Sequence, residues 1–346
     1  MRIALDATTS LGEGLSGVGV YSREIMHGLA ASAAGVDGWD WFYRSQRYWR
    51  ALRSAVPRNV RRRLLADTWG DRSAALFHGL AQRLPKKRFR RQVATFHDLF
   101  VLTAEYSTAE FRARFAEQAR EAAAGSDLII AVSAFTASQI ESLLHVPRER
   151  IRVVPHGVLP RVLPAVPREN VVLSVGAIQK RKNQARLVRA FRAMPPGWKL
   201  VLGGSRGFDA EDTLREAAQS PRAADIQVTG YLGENELAAW YARARIFAFP
   251  SLDEGFGMPA LEAMMAGVPV IAGNRSALPE VCGDAAVLVD ADSEEELASA
   301  LQTLAEDEAK RAGLIARGKI RAAEFTWPRA VRETLQVYRE LLPSVI

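Results

Sequence analysis

Glu254 and Glu262 flank a turn of distinctive composition, Asp253-Glu254-Gly255-Phe256-Gly257-Met258-Pro259, with seven residues between the two acids. Pro259 suits the first turn of a helix, where its missing N–H costs nothing. Gly267 is placed to end that helix, and Val268-Pro269-Val270-Ile271-Ala272 reads as the next buried strand. A glycine loop opening into a helix offers unpaired backbone N–H groups and the positive end of the helix dipole, an anion site best suited to a phosphate. Two carboxylates cannot favour a phosphate, so Glu254 and Glu262 should face something neutral that carries hydroxyls, a sugar or a ribose. Phosphate donors between two hydroxyl acceptors suggest a nucleotide sugar. A glutamate in a first helical turn also complements the dipole, which leaves Glu262 a second, purely structural reading.

Other residues could join this chemistry. Lys180-Arg181-Lys182-Asn183 lie just past an apolar run, Val171-Val172-Leu173-Ser174-Val175-Gly176, and just before a helix. Cations there would face a diphosphate held by the 255–259 loop; the alternative is a solvated basic turn. His97-Asp98 and His78 end two further apolar runs. Ligands of open α/β sheets sit beyond the carboxyl ends of the strands, which places His97 and Asp98 for chemistry. Gly12, Gly14, Gly17 and Gly19 follow the first strand without spelling the dinucleotide pattern. Gly17-Val18-Gly19-Val20 would instead let a ligand approach the backbone closely.

These residues need a scaffold, and the hydrophobic pattern supplies one. Residues 2–7 read as a strand and 20–34 as a helix, the opening of a Rossmann-like unit. Strands follow at 39–43, 75–80, 92–99, 127–132 and 151–158, with a helix over 108–124 and a helix capped by Ser133. Residues 159–167 hold Pro160, Pro164 and Pro167 without hydrophobic period and read as a linker. Alternation then restarts, with strands at 171–176, 199–204, 226–230 and 246–250 and helices at 184–194, 210–218 and 234–242. Helices at 294–305, 308–323 and 329–342 close the chain. The pattern predicts an α/β protein of two doubly wound parallel-sheet domains facing a central cleft. Their expected extents are 1–163 and 164–326, with a C-terminal helix at 327–346 packing back toward the first.

Composition narrows the class. The chain has 346 residues, 48% hydrophobic and 25% charged, as in a water-soluble globular protein. Its one cysteine, Cys282, rules out an internal disulfide and a cysteine metal cluster, and suits a cytoplasmic protein. The apolar run within MRIALDATTS is too short to be expected to act as a signal peptide, and no apolar run approaches the ~18 residues expected of a membrane span. The net charge of +7 belongs to the first half, where residues 1–168 carry 25 Lys and Arg against 15 Asp and Glu. Arg44, Arg47, Arg50, Arg53, Arg58, Arg61, Arg62 and Arg63 form a run without an acid, interleaved with Tyr48 and Trp49. A second cluster is Lys86-Lys87-Arg88 with Arg90 and Arg91. Both are expected to face an anionic membrane surface reversibly; the alternative is a pair of solvated segments. No zinc, RRM or KH pattern supports nucleic acid.

Glu254 to Glu262, EGFGMPALE, is similar to the E-x7-E motif of retaining glycosyltransferases of family 4, which have the GT-B fold. SGVGVY, FHDL, VSAFTASQ, VPHGV, VGAIQKRKNQ, VTGYLGENEL and LPEVCGDAA also resemble that family, in its order, over nearly the whole chain. The resemblance implies transfer of a sugar from a nucleotide diphosphate sugar with retention of configuration, the donor held by the second domain and the acceptor by the first. Glu254 would contact donor-sugar hydroxyls and Glu262 the ribose. Backbone N–H groups of the loop at Gly255, Phe256, Gly257 and Met258 would hold sugar and phosphates. Lys182 would neutralise the leaving diphosphate, Tyr231 and Leu232 would lie by the base, and His97 would bind the sugar near its reacting carbon. Gly17 and Gly19 would shape a loop over the diphosphate. The family often has an arginine where this chain has Ala177, and Arg181 is the nearest replacement.

The expected activity is therefore a hexosyltransferase without a cofactor or metal, with a GDP-sugar, best GDP-mannose, as donor and a UDP-sugar next. The acceptor would be lipid-linked or a polysaccharide, met at the inner face of the cytoplasmic membrane. A sugar-nucleotide epimerase of the same fold, or a basic scaffold with an inactive site, are the alternatives.

Overall fold

The computed structural model describes every residue except Glu13, Ala33, Ala34, Trp69, Asp71, Arg72 and 344–346. The ends of the expected helices at 20–34 and 327–346 thus lie outside the described residues. The chain divides into two compact units. One comprises Met1–Thr103, Ala109–Gly157 and Phe325–Ile346, the other Ala104–Thr108 and Val158–Glu324.

Among the described residues the first unit contains seven strands: β1 Arg2–Asp6, β2 Gly38–Arg44, β3 Val60–Leu65, β4 Leu76–Gly79, β5 Gln92–Phe96, β6 Leu128–Ala131 and β7 Ile151–Val153. They pair in parallel in the order β3-β2-β1-β4-β5-β6-β7. Parallel strands covered on both faces read as continuous apolar runs. Ile3, Ala4 and Leu5 of β1 and Ile129, Ile130 and Ala131 of β6 are completely buried. The strand order reverses between β1 and β4, and in doubly wound sheets ligands bind at such a point.

The helix Trp327–Leu341 belongs to this unit. A Cβ on Gly28 would lie 2.4 Å from Val331, so the helix at Gly17–Ala31 and this one touch at close range. Tyr338 hydrogen bonds the ring of His78, and Arg152 of β7 pairs with Glu340.

The second unit contains six strands: β8 Val171–Val175, β9 Lys199–Gly203, β10 Ile226–Gly230, β11 Ile246–Phe249, β12 Val270–Gly273 and β13 Ala286–Val289. They are again parallel, in the order β10-β9-β8-β11-β12-β13. Here the order reverses between β8 and β11. Ile246 pairs with Val172 and Phe247 with Leu173, so the loops leaving these two strands emerge side by side. One carries Lys182, the other Glu254.

The arginine run is not one continuous element. It forms a short helix, Ser45–Ala51, then a turn through Pro57, then the edge strand β3. Arg44 is buried, between Asp6 at 3.7 Å and Asp67 at 2.8 Å. Arg62 donates to the Ser54 carbonyl, and Arg63 lies 3.9 Å from Asp40. Arg50, Arg53, Arg58 and Arg61 remain exposed and Arg47 half-buried, while Trp49 is 76% exposed and Leu52 46%.

Candidate functional site

After β11 the chain passes through Ser251-Leu252-Asp253-Glu254 and turns at Gly257, whose φ of 103° is left-handed. A side chain there would be strained, and its Cβ would lie 2.6 Å from Leu278 Cδ2. The helix Met258–Met265 starts immediately after, with Pro259 in its first turn. After β8, Lys180–Lys182 form a short 3-10 turn ended by Asn183 in left-handed conformation. The Asn183 amide donates to the carbonyls of Pro250 at 3.0 Å and Ala291 at 2.7 Å. The Leu252 N–H donates to the Arg181 carbonyl at 2.8 Å. These bonds stitch the two loops together.

The stitched loops hold a carboxylate between two cations. Lys182 Nζ lies 2.5 Å from Glu254 Oε1, and Arg181 Nη1 lies 3.2 Å from Glu254 Oε2. Arg181 also donates to the Asp253 carbonyl. The Lys182 ammonium sits 4.7 Å from the centre of the Phe249 ring, a cation–π contact that adds to its pairing with Glu254. Burial alone would raise the Glu254 carboxyl; Lys182 and Arg181 more than offset it and hold it below the usual carboxylate range. Glu254 is therefore ionised at neutral pH and can accept from hydroxyls, while the cations beside it can meet a diphosphate. Arg181 is tied to Glu254 and to the loop backbone rather than projecting from the basic turn. Position 177, an alanine, brings no cation of its own to the site.

Glu262 lies one full turn into its helix rather than in the first turn, which contains no acid. The dipole therefore does not account for it, since that effect fades beyond the first turn. Its Oε1 accepts from Arg161 Nη2 at 3.0 Å and its Oε2 from Tyr241 Oη at 3.1 Å. Burial, then the Glu262 charge, push the Tyr241 hydroxyl well above its ordinary value, so it stays a donor. Neither Arg161 nor Tyr241 stood out in the sequence: one sits in the proline-punctuated stretch, the other on an ordinary helix. Tyr231 is 58% exposed, and the Leu232 side chain fills the space where a Cβ on Gly203 would reach, at 2.6 Å.

In the first unit, Gly17 opens a helix capped by the Ser16 hydroxyl, which accepts from Gly19 N. A Cβ on Gly19 would lie 2.9 Å from the Thr9 carbonyl, so the loop after β1 closes directly onto that helix. His97 follows β5 and is 6% exposed. Its Nε2 donates to the Leu80 carbonyl at 2.8 Å, which leaves Nδ1 as an acceptor facing His156 Nε2 at 3.4 Å. Burial pushes the His97 imidazole down to about 4, against the Leu80 hydrogen bond, and also lowers His156. Both ring nitrogens of His97 are thus engaged inside the unit. His78 is a structural link: Tyr338, His78, Thr95 and Tyr21 form one buried chain at 2.6, 2.8 and 2.9 Å.

The profile of the Glycosyl transferases group 1 matches residues 159–321, and that of Glycosyltransferase Family 4 matches residues 41–161. The O-antigen chain mannosyltransferase B of Escherichia coli is 31% identical over 284 residues, 77% of this chain and 74% of that protein. The MMP alpha-(1->4)-mannosyltransferase of Mycolicibacterium hassiacum is 30% identical over 250 residues, 69% of this chain and 59% of its own. The Escherichia coli mannosyltransferase WbdA matches 51% of the chain, which spans 22% of that longer protein. Among solved structures, a sucrose-phosphate synthase from Thermosynechococcus elongatus superposes with a TM-score of 0.77 at 22% identity, covering 99% of this chain and all of the other. HepE from Anabaena, in complex with UDP and glucose, gives 0.74 at 18% identity with the same coverage, 99% and 100%. The chain belongs to the group 1, family 4 glycosyltransferases and has their GT-B fold of two Rossmann-like domains.

Proposed function

We propose that the protein is a retaining hexosyltransferase that moves mannose from GDP-mannose to a lipid-linked or polysaccharide acceptor, with a UDP-sugar as the next choice of donor. The observation that carries the reading is the Glu254 carboxylate held between Lys182 and Arg181 at the strand-order reversal of the second unit. Mannosyltransferase relatives support the choice of mannose; the choice of GDP rests on that.

In this reading the second unit takes the donor and the first the acceptor. Glu254 accepts from donor-sugar hydroxyls, and Lys182 and Arg181 meet the diphosphate. Backbone N–H groups of Gly255, Phe256, Gly257 and Met258 complete the anion site at the helix N-terminus. Glu262 takes the ribose, Tyr231 and Leu232 flank the base, and the loop at Gly17 and Gly19 covers the diphosphate. His97, neutral and held in one tautomer, borders the sugar. The acceptor oxygen bonds to the anomeric carbon on the face from which the diphosphate departs. The carbon–oxygen bond to the diphosphate breaks, and the acceptor proton passes to the departing phosphate oxygen. Fixed cations and backbone donors stabilise that leaving charge without a metal ion, a contribution of about 3–4 kcal/mol per donor in comparable sites.

The exposed Arg50 and Arg53, next in sequence to the exposed Trp49 and Leu52, support reversible attachment to an anionic membrane face, with the exposed Lys86, Lys87, Arg88, Arg90 and Arg91 as a second basic stretch. The enzyme would then work in the cytoplasm, against the membrane that carries its acceptor.

The test is a panel of GDP-, UDP-, ADP- and dTDP-sugars, each incubated with purified protein with and without saccharide acceptors. Released nucleoside diphosphate and the anomeric configuration of the product are read out. GDP release from GDP-mannose with an α-linked product is expected; no release from any donor sinks the proposal.

A further inference from the structure

Glu262 is held at both oxygens by side chains. Arg161 Nη2 donates to Oε1 and Tyr241 Oη to Oε2, both within the second unit. A carboxylate offers about four acceptor sites, two on each oxygen. Each oxygen of Glu262 thus keeps one more site, and two adjacent hydroxyls need one acceptor on each. Donors on different oxygens also stop rotation about the terminal glutamate torsion, which is otherwise broad and two-fold. The Arg161 and Glu262 side chains are each 23% exposed, shielded enough to hold one geometry and open enough to meet a ligand. The Arg161 Nε is buried with no partner among the described residues. Among the described residues the guanidinium hydrogen bonds Glu262 alone.

We propose that Arg161 is a positioning residue for ribose recognition, fixing the Glu262 carboxylate so that each oxygen presents one acceptor to the 2′- and 3′-hydroxyls of a nucleoside diphosphate. The inference rests on the reading of Glu262 as the ribose ligand. Its chemistry explains why an arginine of the proline-punctuated stretch reaches into the nucleotide half of the site. A planar guanidinium holds a carboxylate in one orientation, whereas an ammonium holds it as a point charge.

The experiment is a calorimetric titration of the full chain with GDP and UDP, then with the 2′-deoxy form of the tighter binder. Wild type should prefer the ribonucleotide about ten- to hundredfold, the size of one hydrogen bond to a charged group. Arg161→Ala should lose most of that preference while its affinity for the deoxy form changes little, and Arg161→Lys should recover part. A purely structural role would weaken both nucleotides equally and leave the ratio alone, which overturns the proposal. Tighter binding of the ribonucleotide by Arg161→Ala also overturns it, by making Arg161 an occupant of the ribose site. Glu262→Gln separates the two levels. An unchanged ratio in that variant removes Glu262 as the ribose ligand; a lost ratio there with an intact one in Arg161→Ala removes only the positioning role. No heat from either GDP or UDP overturns both.

Discussion

The imidazoles of His97 and His156 stack almost parallel, 8° apart in plane and 5.3 Å between centres, with Tyr21 edge-on to both at 4.8 Å. Two imidazolium ions could not share that space, and burial keeps both rings neutral. His78 nearby is pushed down to about 3 by burial, then by His97. A group whose folded pKa lies below its unfolded value binds more protons when unfolded, so stability rises with pH between the two values. For His97 that window runs from about 4 to the ordinary imidazole value of about 6.5. The unfolding free energy from denaturant titration should therefore climb from pH 5 to pH 6.5, by at most about 1.4 kcal/mol per pH unit for each histidine. His78→Gln should flatten the climb. A flat or falling profile in the parent protein would show that these rings are not buried neutral.

Glu254 and Lys182 predict an asymmetry between variants. Glu254→Ala leaves Lys182 and Arg181 facing each other, and stranding one side of a buried pair costs about 3–5 kcal/mol. Lys182→Ala leaves Glu254 with Arg181 still 3.2 Å away, so its melting temperature should fall less. Both should reduce turnover by about 10²–10³-fold, the loss seen when one stabilising donor is removed. Near-normal rates in either variant, with the fold intact by circular dichroism, would remove that residue from the site.

How far this site could be seen in the sequence depended on the kind of information needed. Runs such as Val171–Val175 and Ile246–Phe249 are legible because parallel strands are buried on both faces. That these two strands are neighbours is a property of strand order, so the distance from Lys182 to Glu254 was not visible. β3 was hidden because three of its six residues are arginines, and it lies at a sheet edge where few positions must be apolar. Arg44 looked like the other arginines of its run, since its partner Asp6 is on a different strand. Arg161 gave no signal, because nothing local marks an arginine whose partner is 101 positions away.

Gly204 and Gly257 should respond differently to alanine. A Cβ on Gly204 would lie 2.0 Å from the Gly176 carbonyl oxygen, a backbone atom in the loop that leads to Lys182. On Gly257 it would meet Leu278 Cδ2, the flexible end of a side chain, and the left-handed φ of 103° is the main obstacle. Strain of that kind costs about 1–3 kcal/mol. Gly204→Ala should therefore lower the melting temperature more than Gly257→Ala, and both should weaken nucleotide binding in a thermal-shift titration. Equal melting temperatures would show that the β8 loop yields as readily as a leucine side chain.

The arginine run makes the last prediction, because the structure divides it into two kinds of residue. Arg44 is enclosed by Asp6 and Asp67, so Arg44→Ala should destabilise the first unit without affecting lipid attachment directly. Arg47, Arg50 and Arg53 have no ion-pair partner among the described residues and neighbour the exposed Trp49. Each basic residue near an anionic surface contributes about 1 kcal/mol. Converting all three to glutamate should then weaken sedimentation with phosphatidylglycerol vesicles by at least about a hundredfold, with larger loss at low salt than at high. Melting temperature and turnover on a water-soluble acceptor should stay near those of the parent. If the triple variant still binds vesicles normally, the attachment surface lies elsewhere, and Lys86, Lys87 and Arg88 become the residues to reverse.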